Sequence, residues 1–276
     1  MEGEVYSVYL VSGSVDNGGM HKAGIWPETT DNLAEAYELV RRDGAVCFDG
    51  IGPSAKEAVE LGHKIFSHRV RSIPEAARVF VGGEMDRYDQ PHTKPLKPHS
   101  DGFAYGDLLP DYIMLSCVNA SAQGGESFLV DGYEVLANLA ASYPEFVNGL
   151  ETIAVDQTEA DMQVSNSPIV QYNSANRKLL RRNFSQKPLS SSQQPEQDQR
   201  MIDTWIRAVD AAGEKAPRFK VLPGQGLVID NYRVLHAREG YADVNRMMWR
   251  VWIWTEECLG VPDMPLHSDS RYALRD

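Results

Sequence analysis

The sequence predicts an α+β fold built around a β-sandwich or jelly roll. Two observations lead there: helical periodicity comes early while the final third alternates strand and turn, and the residues with the most distinctive chemistry fall on or beside strands.

The elements follow in order. The first thirty residues read as strand and loop, with Asn17-Gly18-Gly19 as a turn. A helix is predicted from about Asp31 to Arg42, capped by Asp31, striped by Leu33, Ala36, Tyr37 and Val40, and stopped by Gly44. Ala45 to Phe48 is a short buried strand. Pro53 to about Phe66 is a second helix, with Pro53 near its first turn. From Gly82 to Pro98 the chain becomes a long loop with Pro91, Pro95 and Pro98, and it runs directly into His99. Tyr112–Val118 and Ser127–Val130 are strands around the turn Gly124-Gly125, and Asp131 caps a helix through about Ser142. Residues from about Asp156 to Gln199 are polar and read as an insertion over the site, with a short strand near Leu179–Asn183. A helix from about Pro195 to Gly213 carries Met201, Trp205, Ala208 and Val209 on one face. Leu227–Asp230 and Arg233–Ala237 flank the turn Asn231-Tyr232, and Met247 to Thr255 is a strand rich in Trp, Val and Ile.

The chain has 276 residues, 42% hydrophobic and 24% charged, which suits one sizeable core in a single domain with insertions. No apolar run reaches the length of a membrane span. The start, Met1-Glu2-Gly3-Glu4, is acidic and lacks an export signal, so a cytoplasmic location is expected. Cys47, Cys117 and Cys258 are too widely spaced for a disulfide framework or a paired-Cys zinc site and are expected as free, buried or half-buried thiols. A net charge of −12 argues against nucleic acid or an anionic membrane as partner. It leaves small anionic ligands open, because a few arginines set a local field. A homo-oligomer is compatible with everything above.

His99-Ser100-Asp101, followed downstream by His236, offers two imidazoles and one carboxylate, the facial set that suits non-haem Fe(II). Residues two apart on a strand share a face. With 7 His and 39 acidic residues, about one His-x-acid pair arises by chance. A second pair, His267-Ser268-Asp269, sits in a Pro-containing tail with no later histidine and reads as surface. A lone His236 would read as a core histidine. Arg246 and Arg250 also share a face, with Cα atoms roughly 13 Å apart, too far to grip one carboxylate together. Two anionic groups in one pocket is the simpler account; the bland one is a pair of structural salt bridges.

Four stretches together resemble the taurine catabolism dioxygenase family, the Fe(II)/2-oxoglutarate oxygenases that include taurine dioxygenase, clavaminate synthase and γ-butyrobetaine hydroxylase. They are Pro98 to Gly102, Gly124 to Gly132, Asp230 to Arg238 and Arg246 to Trp252, in matching order and spacing. The resemblance spans about Asp31 to Thr255. It implies a double-stranded β-helix (jelly roll) core with flanking helices and a lid-like insertion. It implies that His99, Asp101 and His236 bind iron, that Ser127 and Arg246 bind the distal carboxylate of 2-oxoglutarate, and that Arg250 falls where some relatives bind substrate. Ser127 stands where Thr is common and keeps the hydroxyl donor. The spacings from His236 to the two arginines differ slightly from many relatives, so their roles are open to exchange. The implied reaction consumes 2-oxoglutarate and O2, releases succinate and CO2, and hydroxylates, desaturates or cyclises the substrate. Asp101 argues against halogenation, since related halogenases lack this carboxylate.

Candidate substrate contacts are Tyr88, Phe103, Tyr105, Arg182, Asn183 and Arg250. Ordinary packing explains the aromatics equally well, and Arg181-Arg182 reads equally as a solvated pair. The expected substrate is a small organic acid or amino-acid-like molecule, anionic or zwitterionic, with its anion on Arg250. A variant puts a cationic amine against Tyr88, Tyr105, Asp86 or Asp89. Two other classes remain compatible: a cupin-like metal-binding or sensor protein without turnover, and a hydrolase using a divalent metal. Neither accounts for Ser127 and Arg246 together.

Overall fold

The computed structural model describes residues 23–79, 93–158 and 165–263. The chain begins with strands β1 (Gly24–Ile25) and β2 (Glu28–Thr30), helix α1 (Leu33–Asp43), β3 (Ala45–Asp49) and α2 (Ala55–Phe66). Next come β4 (Val70–Ser72), β5 (Ala76–Val79), β6 (Leu96–His99), β7 (Tyr112–Asn119) and β8 (Ser127–Asp131). Helices α3 (Gly132–Ser142) and α4 (Pro144–Thr152) follow, then the short strands β9 (Val155–Asp156), β10 (Asn166–Ser167), β11 (Val170–Tyr172), β12 (Lys178–Leu180) and β13 (Lys187–Pro188). Helix α5 (Pro195–Lys215) leads into β14 (Gln225–Asp230), β15 (Val234–Arg238) and β16 (Met247–Thr255).

This is a mixed α/β fold with several sheets. One sheet has four strands in the order β1-β8-β15-β6, and another has seven, β2-β3-β14-β7-β16-β4 with β5 also on β16. Alternation along the strands explains the layers. Cys47, Ile113, Leu227, Ile229, Met248 and Trp252 of the large sheet pack with Leu129 and Val234 of the small one. The opposite faces bury against helices. Val46, Phe48, Val228, Val251 and Ile253 meet Ala36, Val40, Leu61 and Ile65 of α1 and α2. Val130 and Leu235 meet Leu136, Leu139, Trp205 and Val209 of α3 and α5. Trp205 is fully buried and its indole donates to Arg181 O at 3.2 Å, so α5 also anchors the polar stretch before it.

Two expected helix starts are corrected. Asn32, not Asp31, caps α1: its Oδ1 accepts from the N–H groups of Ala34 and Glu35. Gly44 ends this helix as expected, at φ 87° with its N–H on Val40 O. Pro53 precedes α2 rather than opening it. Ser54 is the cap and forms a reciprocal capping box with Glu57. In α1, Leu39 is buried where Leu33 of the expected stripe is 36% exposed. Asp131 caps α3 as read, accepting from Tyr133 and Glu134 N–H. The turn at 17–19, most of the loop at 82–98, Tyr88 and the tail pair at His267 lie outside the described residues.

Within 156–199, β10 and β13 pair with β9, and β11 pairs with β12. The three cysteines are free and buried. Among the described residues no helix is long and apolar enough to cross a membrane.

Candidate metal centre

Strand register builds the site. In the four-stranded sheet His236 pairs with His99 on one side and with Leu129 on the other. His99 is the last residue of β6, and Asp101 lies one turn beyond it, followed by Gly102 at φ 72°. His99, Asp101 and His236 are all buried, and one ligand atom from each lies within 4.8 Å of the others. Asp101 Oδ1 is 3.6 Å from His99 Nε2 and 3.7 Å from His236 Nε2. His99 Nδ1 lies 2.9 Å from Lys97 O. A carbonyl only accepts, so Nδ1 carries the proton and Nε2 keeps its lone pair for a ligand bond.

The large sheet supplies the other half. Asp101 Oδ2 accepts from Trp252 Nε1 at 2.9 Å and lies 3.4 Å from Arg250 Nη1. One carboxylate oxygen is therefore taken by protein donors, and the other faces the imidazoles. Burial alone would raise the Asp101 carboxyl, but Arg250, the two histidines and the Trp252 indole together hold it well below its ordinary value. Burial and the neighbouring His236 push the His99 imidazole down, and burial lowers His236 as well. Two neutral imidazoles and one anionic oxygen are the protonation states that divalent metal binding requires. The donor set fits Fe(II): mixed nitrogen and oxygen, three protein atoms on one side, no thiolate.

Ser127 and Arg246 line one small cavity of about 10 Å³ together with Gly124, Gly125 and Lys220. Ser127 sits opposite Arg238 in register, and Arg246 immediately precedes β16. The Tyr241 ring carries both guanidinium groups, with centroids 4.5 Å from Arg238 Cζ and 5.0 Å from Arg246 Cζ. Burial, then Arg246, pushes Arg238 down to about 10.

The remaining candidates are distributed around the centre. Phe103 and Tyr105 lie in a 3-10 segment, Phe103–Leu108, just after Asp101. Phe103 is buried, and the Tyr105 ring meets Trp252 edge-on at 5.6 Å. Arg181 and Arg182 are both buried rather than solvated. Arg181 donates to Pro168 O and Gly106 O and pins the 3-10 segment. The Arg182 carbonyl accepts from Ser100 N–H, and Arg182 Nη2 donates to Asp210 Oδ1 at 2.7 Å. Its Nε and Nη1 have no hydrogen-bond partner among the described residues. Asn183 is buried in an amide network, donating to Gln157 Oε1 at 2.7 Å.

Three contributors escaped the sequence reading. Asn231 was read as a turn residue, yet it holds the Asp101 backbone through both ends of its amide. Trp252 carried a legible signal, since it shares a strand face with Arg250. Phe184 stacks near His99 at 5.2 Å and had no distinguishing pattern.

A mixed α/β fold with a buried two-histidine, one-carboxylate donor set defines the class of non-haem iron oxygenases. Comparison with known proteins narrows it. The model of the family described as taurine catabolism dioxygenase TauD, TfdA matches residues 25–252. The fold is similar to PvcB from Pseudomonas aeruginosa, at 19% identity over 84% of this chain and 83% of that one, with a TM-score of 0.60. It is similar to asparagine oxygenase in complex with Fe(II), a 3-hydroxyasparagine and succinate (15% identity, 81% and 78% covered, TM-score 0.58). It is also similar to a point mutant of the non-heme iron oxygenase OrfP in complex with (3S)-hydroxy-L-Arg (15% identity, 80% and 79% covered, TM-score 0.57). The chain belongs to the TauD, TfdA family. It is an Fe(II)- and 2-oxoglutarate-dependent dioxygenase, an oxidoreductase.

Proposed function

We propose that His99, Asp101 and His236 hold the Fe(II), that Ser127 and Arg246 receive the distal carboxylate of 2-oxoglutarate, and that Arg250 takes the anion of a small organic-acid or amino-acid-like substrate. The observation that carries this is the division of Asp101: Oδ1 faces both imidazoles while Oδ2 is held by Trp252 and Arg250. With iron and 2-oxoglutarate bound, the centre supplies oxidative chemistry that releases succinate and CO2 and oxidises the substrate.

The protein's own residues do the positioning. Lys97 O fixes the His99 tautomer, and Trp252 fixes the carboxylate plane. Arg246 shares its cavity with Ser127, whereas Arg250 contacts Asp101, which favours Arg246 for the co-substrate and Arg250 for the substrate. The hydroxylated amino acids held by asparagine oxygenase and OrfP support hydroxylation of an amino-acid-like substrate. Arg182, whose Nε and Nη1 have no hydrogen-bond partner among the described residues and whose guanidinium lies over the Phe184 ring, supports a second polar contact in the pocket, with Phe103, Tyr105 and Asn183 as further candidates. Tyr88, outside the described residues, stays a candidate substrate contact on its sequence position alone.

We read the four- and seven-stranded sheets as the two walls of a double-stranded β-helix in a single domain. Residues about 156–199 act as its insertion over the site, supported by the Phe184 and Arg182 contacts to His99 and Ser100. A reducing, cytoplasmic setting fits the three free thiols and a ferrous ion.

Anaerobic addition of Fe(II) and 2-oxoglutarate tests the centre. A weak visible charge-transfer band should form, shift with candidate substrates and vanish in His99→Ala. Absence of the band with metal demonstrably bound would sink the assignment. For substrate, Arg250→Ala should raise KM or uncouple turnover; no change in either rejects that role.

A further inference from the structure

We propose that the unused edge of the Arg182 guanidinium is a carboxylate site, and that it holds an acid group of the substrate beside the metal centre. This rests on the assignment of His99, Asp101 and His236 as metal ligands, and it is independent of what Arg250 binds.

The local charge is out of balance. The Arg182 side chain is 3% exposed, and its ion pair is with Asp210, whose Oδ1 accepts from Nη2 at 2.7 Å. Asp210 gives its other oxygen to Lys97 Nζ at 2.8 Å, so two cations share one carboxylate. Burial pushes the guanidinium down by more than Asp210 restores. A buried cation in that state gains from a second anion.

The free donors select the kind of anion. Nη2 belongs to both forked edges of a guanidinium, one shared with Nε and one with Nη1. The bond to Asp210 takes one Nη2 hydrogen, and neither Nε nor Nη1 has a partner among the described residues. One complete edge therefore remains, and its parallel N–H groups match the two oxygens of a carboxylate.

The place of this edge ties it to the metal centre. Ser100, between His99 and Asp101, donates its N–H to Arg182 O at 3.0 Å, and its Oγ accepts from Arg182 N–H at 3.3 Å. The Phe184 ring lies 5.4 Å from Arg182 Cζ and 5.2 Å from the His99 ring, so one aromatic side chain spans from the guanidinium to a metal ligand. Phe184 is 49% exposed and has solvent to turn into when a ligand takes its place over Arg182.

Anaerobic protein loaded with Co(II) and 2-oxoglutarate tests this with no turnover required, since the co-substrate already fills its own site. N-acetylglycine is the probe and N-acetylglycinamide its neutral control, both read by the shift of the Co(II) visible bands. Wild type should bind the acid about 10–100-fold more tightly than the amide, the usual worth of hydrogen bonds to a charged group. Arg182→Gln should remove that preference. Arg182→Lys, which keeps the charge but not the fork, should keep only part of it. Asp210 retains Lys97 in both variants, and thermal unfolding confirms that they fold. Equal binding of acid and amide by wild type would overturn the site. So would a preference that survives in folded Arg182→Gln or keeps its wild-type size in Arg182→Lys. Co(II) binding that survives His99→Ala would instead overturn the ligand assignment.

Discussion

Asn231 grips the backbone of Asp101 from both sides. Its Oδ1 accepts the Asp101 N–H at 2.9 Å, and its Nδ2 donates to the Asp101 carbonyl at 3.0 Å and to Pro110 O at 2.8 Å. The amide is fully buried, so water does not compete for these bonds. The turn that leads β15 toward His236 thus also fixes the carboxylate proposed as ligand, and two of the three candidate donors depend on one short segment.

Removing that amide should damage the metal site before the fold. Asn231→Ala leaves buried backbone groups unpaired, at a cost of about 2–4 kcal/mol in stability. Asn231→Asp is worse, because it turns a carboxylate oxygen toward two carbonyl oxygens. Both should weaken Co(II) binding by about 10–100-fold, the usual effect of losing a partner that orients a ligand. Calorimetric titration measures it. Wild-type metal affinity in a folded Asn231→Ala protein would contradict the clamp.

Gly125 lies against Arg246, the arginine proposed to receive the co-substrate. It sits at φ 73°, and an added Cβ would lie 3.3 Å from Arg246 Nε and 3.4 Å from its Cδ. Gly125→Ala strains the backbone by about 1–2 kcal/mol and displaces the Arg246 side chain. The KM for 2-oxoglutarate should rise about tenfold, equivalent to roughly 1.4 kcal/mol of lost binding, while Co(II) affinity holds. Steady-state succinate formation against 2-oxoglutarate concentration is the measurement. An unchanged KM would argue that Arg246 does not hold the co-substrate.

Trp252→Phe probes the carboxylate from the other wall. The ring can be replaced, but the donor to Asp101 Oδ2 is lost. The expected stability loss is about 1–3 kcal/mol, for the bond and for the smaller ring. More diagnostic is the Fe(II)–2-oxoglutarate band, which should shift because the ligand oxygen changes its electron donation. An unshifted band would mean that the indole only packs.

What was legible depended on length and pattern. In β16, nine residues long, alternation is clear enough to put Arg250 and Trp252 on one face and Val251 and Ile253 on the other. Strands β1, β2, β4 and β5 have two to four residues, too few to display a period, and the partners of β1, β4 and β5 are distant in sequence. Helix α4 follows α3 after only Tyr143, so no loop signal separates them. Asp31 and Asn32 are both good caps, and only the position of the first turn decides between them. His99 and His236 stood out as candidate ligands by residue type, but Asn231 looked like any turn asparagine, because its partner Asp101 is 130 positions away.

A buried carboxyl away from the centre sets a pH dependence. Asp111 Oδ1 accepts from Thr255 N–H at 2.9 Å, and its Oδ2 accepts from the Thr255 hydroxyl and pairs with Arg177 at 3.1 Å. Burial pushes the Asp111 carboxyl up, Arg177 and Thr255 oppose it, and the result is about 6. That exceeds the unfolded value of about 3.9, so the folded protein binds this proton more readily. The group's stabilising contribution is therefore full below about pH 3.9 and lost as pH rises through about 6. Two pKa units correspond to roughly 3 kcal/mol. Asp111→Asn abolishes the titration, so the stability of wild type relative to this variant should fall by about 2 kcal/mol from pH 4 to pH 7, the rest of the change lying below pH 4. Urea unfolding at both pH values gives the difference directly. A flat difference, or one that grows toward pH 7, would show that Asp111 remains an ordinary ionised carboxylate in the folded protein.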